Sequence, residues 1–469
     1  MNLRVLVVAA LAFVAACAAT ADQPPTDPGA EATDLVRLIF LGDVMLGRGV
    51  AAVADADPGS VFERLRPVLL DADVVFANLE SPLTARPHTA PGFALEADPS
   101  AASLLASAGI DVVDLANNHA TDAGPDTVLD TVRATRRAGV AAVGAGAGRP
   151  ATADSPGVNT WATDAAHESV TALRGRADVV VVGVHGGVEY LPRPDPVLER
   201  VTGELAGWGA DVVWGHGAHV AYPVSLVPGT RSAVVAPGLG NALFDQTLPG
   251  TDSGTLLEVL VDADGLVAQR TGRVMIEAGR TSFGGWDLPA GDAVALDGEW
   301  WTPVRPPSEE PPTGCGEVDE ARVLGGLRAG AEAIDVDCGA VTERGPVDMV
   351  VAYRRPSSTE ILQRAFPGRR WADVSGRSAH LAVMAPDGRM RWGAATLLDP
   401  IGAVRACTGS IVVGLTSLDD PAVIAVAAWT WQDFGFRTSP SLSPPGAIGC
   451  ADIDHDGTTE PFVRRSAST

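Results

Sequence analysis

Seven residues of metal-binding type, Asp43, Glu80, Asn118, His119, His185, His216 and His219, each fall at or just after the end of an apolar, β-branched run. They lie in short polar clusters: Gly42-Asp43-Val44-Met45-Leu46-Gly47-Arg48-Gly49, Asn78-Leu79-Glu80, Ala116-Asn117-Asn118-His119, His185-Gly186-Gly187-Val188-Glu189-Tyr190, Gly215-His216-Gly217-Ala218-His219 and Gly238-Leu239-Gly240-Asn241. Taken singly, an Asp after a strand is an ordinary helix N-cap, and Asn-Asn shapes a turn. Taken together, carboxylate, amide oxygen and imidazole suit one or two divalent ions such as manganese, iron or zinc. Two such ions a few ångströms apart activate water and clamp a phosphoryl oxygen. Arg48, flanked by glycines that let a ligand approach the backbone, is a candidate anion contact.

Positioning these clusters requires strands that end together. Val36–Leu41, Val74–Ala77, Val112–Leu115, Val179–Val184, Val212–Trp214 and Ala233–Ala236 read as buried strands. Amphipathic stretches such as Ala101–Ser107 and Thr127–Ala138 lie between them, so residues 35–278 form an α/β domain with its functional groups at strand ends. Alternating Leu256–Val261 and Val267–Ile276 close it as antiparallel strands. Residues 279–314, proline-rich from Trp301 to Gly314, read as a linker. Residues 315–469 read as a mostly β accessory domain, with strands at Val347–Tyr353, Ser378–Met384, Ser410–Leu415 and Ala422–Trp429.

That last region holds Cys315, Cys338, Cys407 and Cys450, an even number that reads as two disulfides of open connectivity. It also holds Asp452-Ile453-Asp454-His455-Asp456-Gly457-Thr458-Thr459-Glu460. Asp452, Asp454, Asp456 and Glu460, with Gly457 at the sixth place, match the start of a calcium loop. The rival reading is an acidic β-turn.

The chain opens with Arg4, an apolar stretch to Ala16 and Cys17 after small residues, the features of an export signal. Residues 1–17 resemble a lipoprotein signal peptide with Cys17 as the lipidated residue, and 18–34 a flexible tether. The expected location is therefore the cell envelope, lipid-anchored to the membrane, or secreted if Cys17 is not lipidated. A net charge of −24 argues against a nucleic-acid partner.

The order of the NLE, ANNH and LGN motifs, within Leu35 to Glu277, resembles the bacterial capsule-synthesis protein family of the CapA type, linked to poly-γ-glutamate synthesis and similar to calcineurin-like metallophosphoesterases. The resemblance implies a metallophosphoesterase-like sandwich of two mixed sheets flanked by helices. It implies Asp43 on a first metal, Glu80 as the bridging carboxylate, and Asn118 and His185 on a second. The loop with His216 and His219 completes the set, and His119 is the general acid. Asn78, Glu189 and Asn241 take supporting or substrate-binding places. Two departures stand out: Met45 where metallophosphoesterases carry His, and Gly217 where the family carries the first of two spaced histidines. The expected work is synthesis, anchoring or trimming of a surface polymer, with that polymer or its biosynthetic machinery as partner. The alternatives are a non-catalytic polymer-binding factor with a degraded metal centre, and a secreted phosphodiesterase or nucleotidase.

Overall fold

Valine- and leucine-rich runs set the strands, because β-branched side chains pack well on a pleated, buried surface. The computed structural model describes residues 4–11, 35–89, 92–146, 157–159, 163–296 and, with short interruptions, 298–465. The chain forms two units that meet in sequence at Asp287 and Leu288.

In the first unit the strands are β1 (Arg4–Leu11), β2 (Val36–Val44), β3 (Val74–Leu79), β4 (Val112–Asp114), β5 (Ala141–Val143), β6 (Ala145–Gly146), β7 (Gly157–Val158), β8 (Val179–His185), β9 (Val212–His216), β10 (Ser225–Val227), β11 (Ala233–Ala236), β12 (Asn241–Leu243), β13 (Ser253–Asp262), β14 (Gly265–Glu277) and β15 (Arg280–Trp286). One mixed sheet runs β14-β13-β2-β3-β4-β5, with β15 on β14 and β12 on the far end of β2; a second runs β1-β8-β9-β11-β10. Helices α1 (Arg48–Ala56), α2 (Arg66–Leu69), α3 (Ala102–Ala108), α4 (Thr127–Arg137), α5 (Thr163–Arg174) and α6 (Pro196–Gly207) lie between the strands. The start of α6 follows from local chemistry: Asp195 accepts from the Val197 and Leu198 amides, and Pro196 takes the first helical place.

The two sheets meet through aromatic rings. Phe40 and Phe76 stack at 4.8 Å, and Trp214 of the other sheet lies 5.9 and 6.0 Å from them. Its indole N–H donates to the Leu41 carbonyl at 2.8 Å, which satisfies the one polar atom of a fully buried ring. This contact fixes the ends of β2 and β9 next to each other.

The second unit is built from antiparallel sheets. Its strands are β16 (Ala293–Leu296), β17 (Glu299–Pro303), β18 (Ser308–Glu309), β19 (Glu332–Gly339), β20 (Asp348–Pro356), β21 (Arg377–Met384), β22 (Met390–Gly393), β23 (Ile401–Cys407), β24 (Ser410–Leu415), β25 (Ala425–Gln432), β26 (Gly435–Thr438), β27 (Ala447–Asp452) and β28 (Glu460–Arg464). They pair as β19-β20-β21-β22, β23-β24-β25-β26 and β18-β27-β28-β16-β17. The four cysteines form two disulfides, Cys315–Cys338 and Cys407–Cys450.

Two segments differ from the sequence expectation. Residues 279–314, expected as a linker, carry β15 to β18, because Ala293, Val294, Trp300 and Trp301 are buried and pull the chain into a sheet. Pro303 only closes β17. Arg4–Leu11, inside the expected export signal, runs antiparallel to β8 as an outer strand. Its backbone takes up the edge hydrogen-bonding groups of β8. Cys17, the tether 18–34 and His455 lie outside the described residues.

Candidate metal centre

Strand register brings the polar clusters into one row. Asp43 pairs with Asn78 across β2 and β3, Asn78 with Asp114 across β3 and β4, and Asn241 with Asp43 across β12 and β2. In the other sheet His185 pairs with His216. The close approach at this end requires Gly42, where a Cβ would stand 1.8 Å from the Gly240 carbonyl oxygen. The Asp43 amide donates to that same oxygen at 2.9 Å.

Asp43 is fully buried and held on several sides. Its Oδ1 accepts from Asn78 Nδ2 at 2.7 Å and from the Gly217 amide at 3.0 Å, and its Oδ2 lies 3.2 Å from His219 Nδ1. Asn241 Oδ1 also faces His219 Nδ1, at 2.9 Å. Glu80 is the centre of the cluster. Its Oε1 stands 3.8 Å from His119 Nε2, 4.0 Å from His185 Nε2 and 3.8 Å from His219 Nε2. Its Oε2 is buried and, among the described residues, accepts no hydrogen bond. Asn118 Oδ1 approaches His185 Nε2 at 2.7 Å.

The charges follow from this crowding. Burial works to keep Asp43 neutral, but the hydrogen bond and charge of His219, with His185 and His216 behind, hold its carboxyl well below the usual carboxylate range. Burial, and then the Asp43 charge, push the Glu80 carboxyl well above that range. Burial opposes a charge on His219, yet Glu80 and the contacts to Asp43 and Asn241 push it up to about 10. Burial, with His216 next, holds His185 well below the usual imidazole range.

These residues fit a divalent cation. Ligand atoms of Asp43, Glu80 and His219 lie within 4.8 Å of one another, as do those of Asp43, His185 and His216. A buried carboxylate oxygen without a donor is a costly arrangement for a polypeptide alone. A cation among Asp43, Glu80, Asn118, His185 and His219 would satisfy it with oxygen and imidazole donors of the right hardness.

The remaining expected residues take other places. His216 sits behind His185 rather than facing Glu80: its Nδ1 is 3.0 Å from His185 Nδ1, and its Nε2 is 3.1 Å from Asp114. Met45 lies in the apolar core. Arg48 is ion-paired with Asp245, and its guanidinium lies 5.6 Å from the Phe93 ring. Glu189 is exposed on the loop after β8, acting on Tyr190 and Glu80 through its charge.

Three residues here receive no role from the motifs. Asp122 holds His119 Nδ1 at 2.7 Å, leaving Nε2 toward Glu80; its spacing of three from His119 was the available signal. Tyr190, at φ +64°, stacks on His219 at 5.8 Å and accepts a hydrogen bond from Gln246. Asp114 is a fully buried acid ending an otherwise apolar strand.

In the second unit, oxygens of Asp452, Asp454 and Glu460 gather within 4.8 Å, whereas Asp456 turns away to accept from Thr458 N at 2.7 Å. Burial, and then the neighbouring aspartates, push Glu460 up to about 8, against a hydrogen bond from the Ile453 amide.

Residues 37–154 and 147–246 match the profile described as bacterial capsule synthesis protein PGA_cap. The chain is similar to the capsule biosynthesis protein CapA of Bacillus anthracis, 27% identical over 260 residues, which cover 47% of this chain and 62% of that protein. It is also similar to the PGA biosynthesis protein CapA of Bacillus subtilis (strain 168), 26% identical over 266 residues, covering 50% and 69%. The chain thus spans less than two thirds of the first relative's length.

Proposed function

From the premise that residues 37–246 belong to the bacterial capsule synthesis protein family of the CapA type, we propose that this protein makes, anchors or trims a capsule or poly-γ-glutamate polymer through a metal-dependent hydrolase-like site. The first unit is read as a metallophosphoesterase-like sandwich, with the cluster at the common end of its two sheets. The observation that carries the reading is Glu80, whose Oε1 is ringed by three imidazole nitrogens at 3.8 to 4.0 Å while Oε2 is buried without a donor among the described residues.

Asp43, Glu80, Asn118, His185 and His219 hold the cation in this reading. A bound divalent ion supplies Lewis acidity, lowering the pKa of water and polarising the scissile bond. His119 supplies the proton. Asp122 occupies its Nδ1, so Nε2 is the nitrogen that delivers a proton to the leaving group of a phosphoester or γ-glutamyl amide. Tyr190 and Arg48 border the cluster, through His219 and through Phe244 respectively, and are read as substrate contacts. The export-signal features that end at Cys17 support a location at the membrane face of the envelope, with the growing polymer or its synthesis machinery as partner.

A non-catalytic polymer-binding role is the second reading. It is favoured by Met45 in the core and by Gly217, whose missing side chain would stand 2.7 Å from His185. Hydrolysis of bis(p-nitrophenyl) phosphate by the manganese-loaded full chain separates the two. The enzyme reading expects His119→Gln to lower kcat by about 10²- to 10⁴-fold with the metal retained. Bound metal without hydrolysis of either this phosphodiester or a γ-glutamyl polymer would leave the binding role.

A further inference from the structure

His216 and Asp114 are both buried to the last atom of their side chains. The space for this carboxylate is built into the fold. A Cβ at Gly144 would stand 2.5 Å from Asp114 Oδ1, and one at Gly183 would stand 2.7 Å from Asp114 Oδ2. Oδ1 accepts from the Ala116 amide at 2.7 Å, and Oδ2 faces His216 Nε2 at 3.1 Å. The next contact is His216 Nδ1 to His185 Nδ1 at 3.0 Å, and the one after it is His185 Nε2 to Asn118 Oδ1 at 2.7 Å.

The direction of the hydrogen bonds follows from the first member. A carboxylate only accepts, so His216 carries its proton on Nε2. The 3.0 Å Nδ1–Nδ1 contact needs one proton between the two rings, and in this line His185 Nδ1 carries it, with Asn78 Nδ2 3.5 Å from the same nitrogen. This leaves the Nε2 of His185 bare, with its lone pair beside the Asn118 oxygen. Two lone-pair donors 2.7 Å apart repel each other unless they share a cation.

We propose that Asp114 is a positioning residue which, through His216, holds His185 in the Nδ1–H form and so presents its Nε2 lone pair to the metal cluster. The consequence for metal affinity rests on the metal-centre reading above; the tautomer itself does not. Gly217 belongs to the same device, since a side chain there would collide with the His185 ring.

Asp114→Asn tests the direction directly. The asparagine oxygen keeps the Ala116 amide, so its NH₂ must donate to His216 Nε2. That reverses every bond down the line and puts the His185 proton on Nε2. Long-range proton–nitrogen NMR of the metal-free, ¹⁵N-histidine-labelled full chain reads the tautomer, with His185→Gln assigning the signal. The expected wild-type result is His185 protonated on Nδ1. The expected Asp114→Asn result is protonation on Nε2, with manganese binding weaker by about 10- to 100-fold. Wild-type protonation on Nε2 overturns the proposal, and so does an unchanged tautomer in a folded Asp114→Asn. If that variant does not fold, the wild-type spectrum still decides. The Nδ1–H form in a protein that binds no metal sinks the metal reading and leaves the relay standing. Metal binding with an Nε2–H His185 does the reverse.

Discussion

At Gly217 two residue-scale demands meet. Its φ of +96° is one that L side chains rarely adopt, and its missing Cβ leaves room for His185. Gly124 has the same φ, but nothing lies within 4 Å of where its Cβ would stand, so it isolates the backbone cost. Both Gly→Ala changes are expected to cost about 1 to 3 kcal/mol in thermal or denaturant melts. Only Gly217→Ala is expected to weaken manganese binding as well, because it displaces the His185 ring. Equal manganese affinity in the two variants would remove His185 from the ligand set. The gathering of Asp43, Glu80, Asn118 and the histidines was legible in the sequence, because each stands at or just after the end of an apolar run. The partnership of Asp114 with His216 was not. It depends on which strands are neighbours and on how deep each ring lies, and neither quantity is written in local spacing.

At the scale of elements, the buried β-branched runs announced the strands of the first unit, and the structure extends several of them by one to three residues into the polar clusters. What the runs could not announce is their division between two sheets, which rests on the long-range contact of Trp214 with Phe40 and Phe76. The strands inside 279–314 were hidden by the proline content of that stretch, of which Pro303 ends β17. The turn from β27 to β28 yields a prediction of its own. Glu460 is held up to about 8, against an ordinary value of 4.5. Below pH 4.5 folded and unfolded chains both hold this proton. Between about 4.5 and 8 only the folded chain holds it, so stability falls as pH rises through that window and levels off above it. Glu460→Gln is expected to flatten that slope in melts of the second unit. An unchanged slope would mean that Glu460 ionises freely in the folded turn.

Across the whole molecule, cross-linking is confined to one unit. Both disulfides lie beyond Leu288, with sequence separations of 23 and 43 residues, and each is expected to contribute about 3 to 4 kcal/mol by restricting the unfolded chain. Calorimetry with and without reductant should therefore show the transition of the second unit moving down while that of the first stays in place. Movement of both transitions together would show that the units unfold as one. The net charge of −24 bears on partners too: it repels a polyanion at long range.

The hydrolase-like site proposed for the first unit depends on a divalent cation held by the row of residues from Asp43 to Asn241. Elemental analysis of the full chain, loaded with manganese, iron or zinc and dialysed, decides whether it is there. One or two ions per chain are expected in the first unit, lost in Asp43→Ala and Glu80→Ala while the ions survive in an Asp454→Ala control. A folded protein that retains no ion under any of these loadings, or one whose ions are indifferent to Asp43 and Glu80, would refute the metal centre.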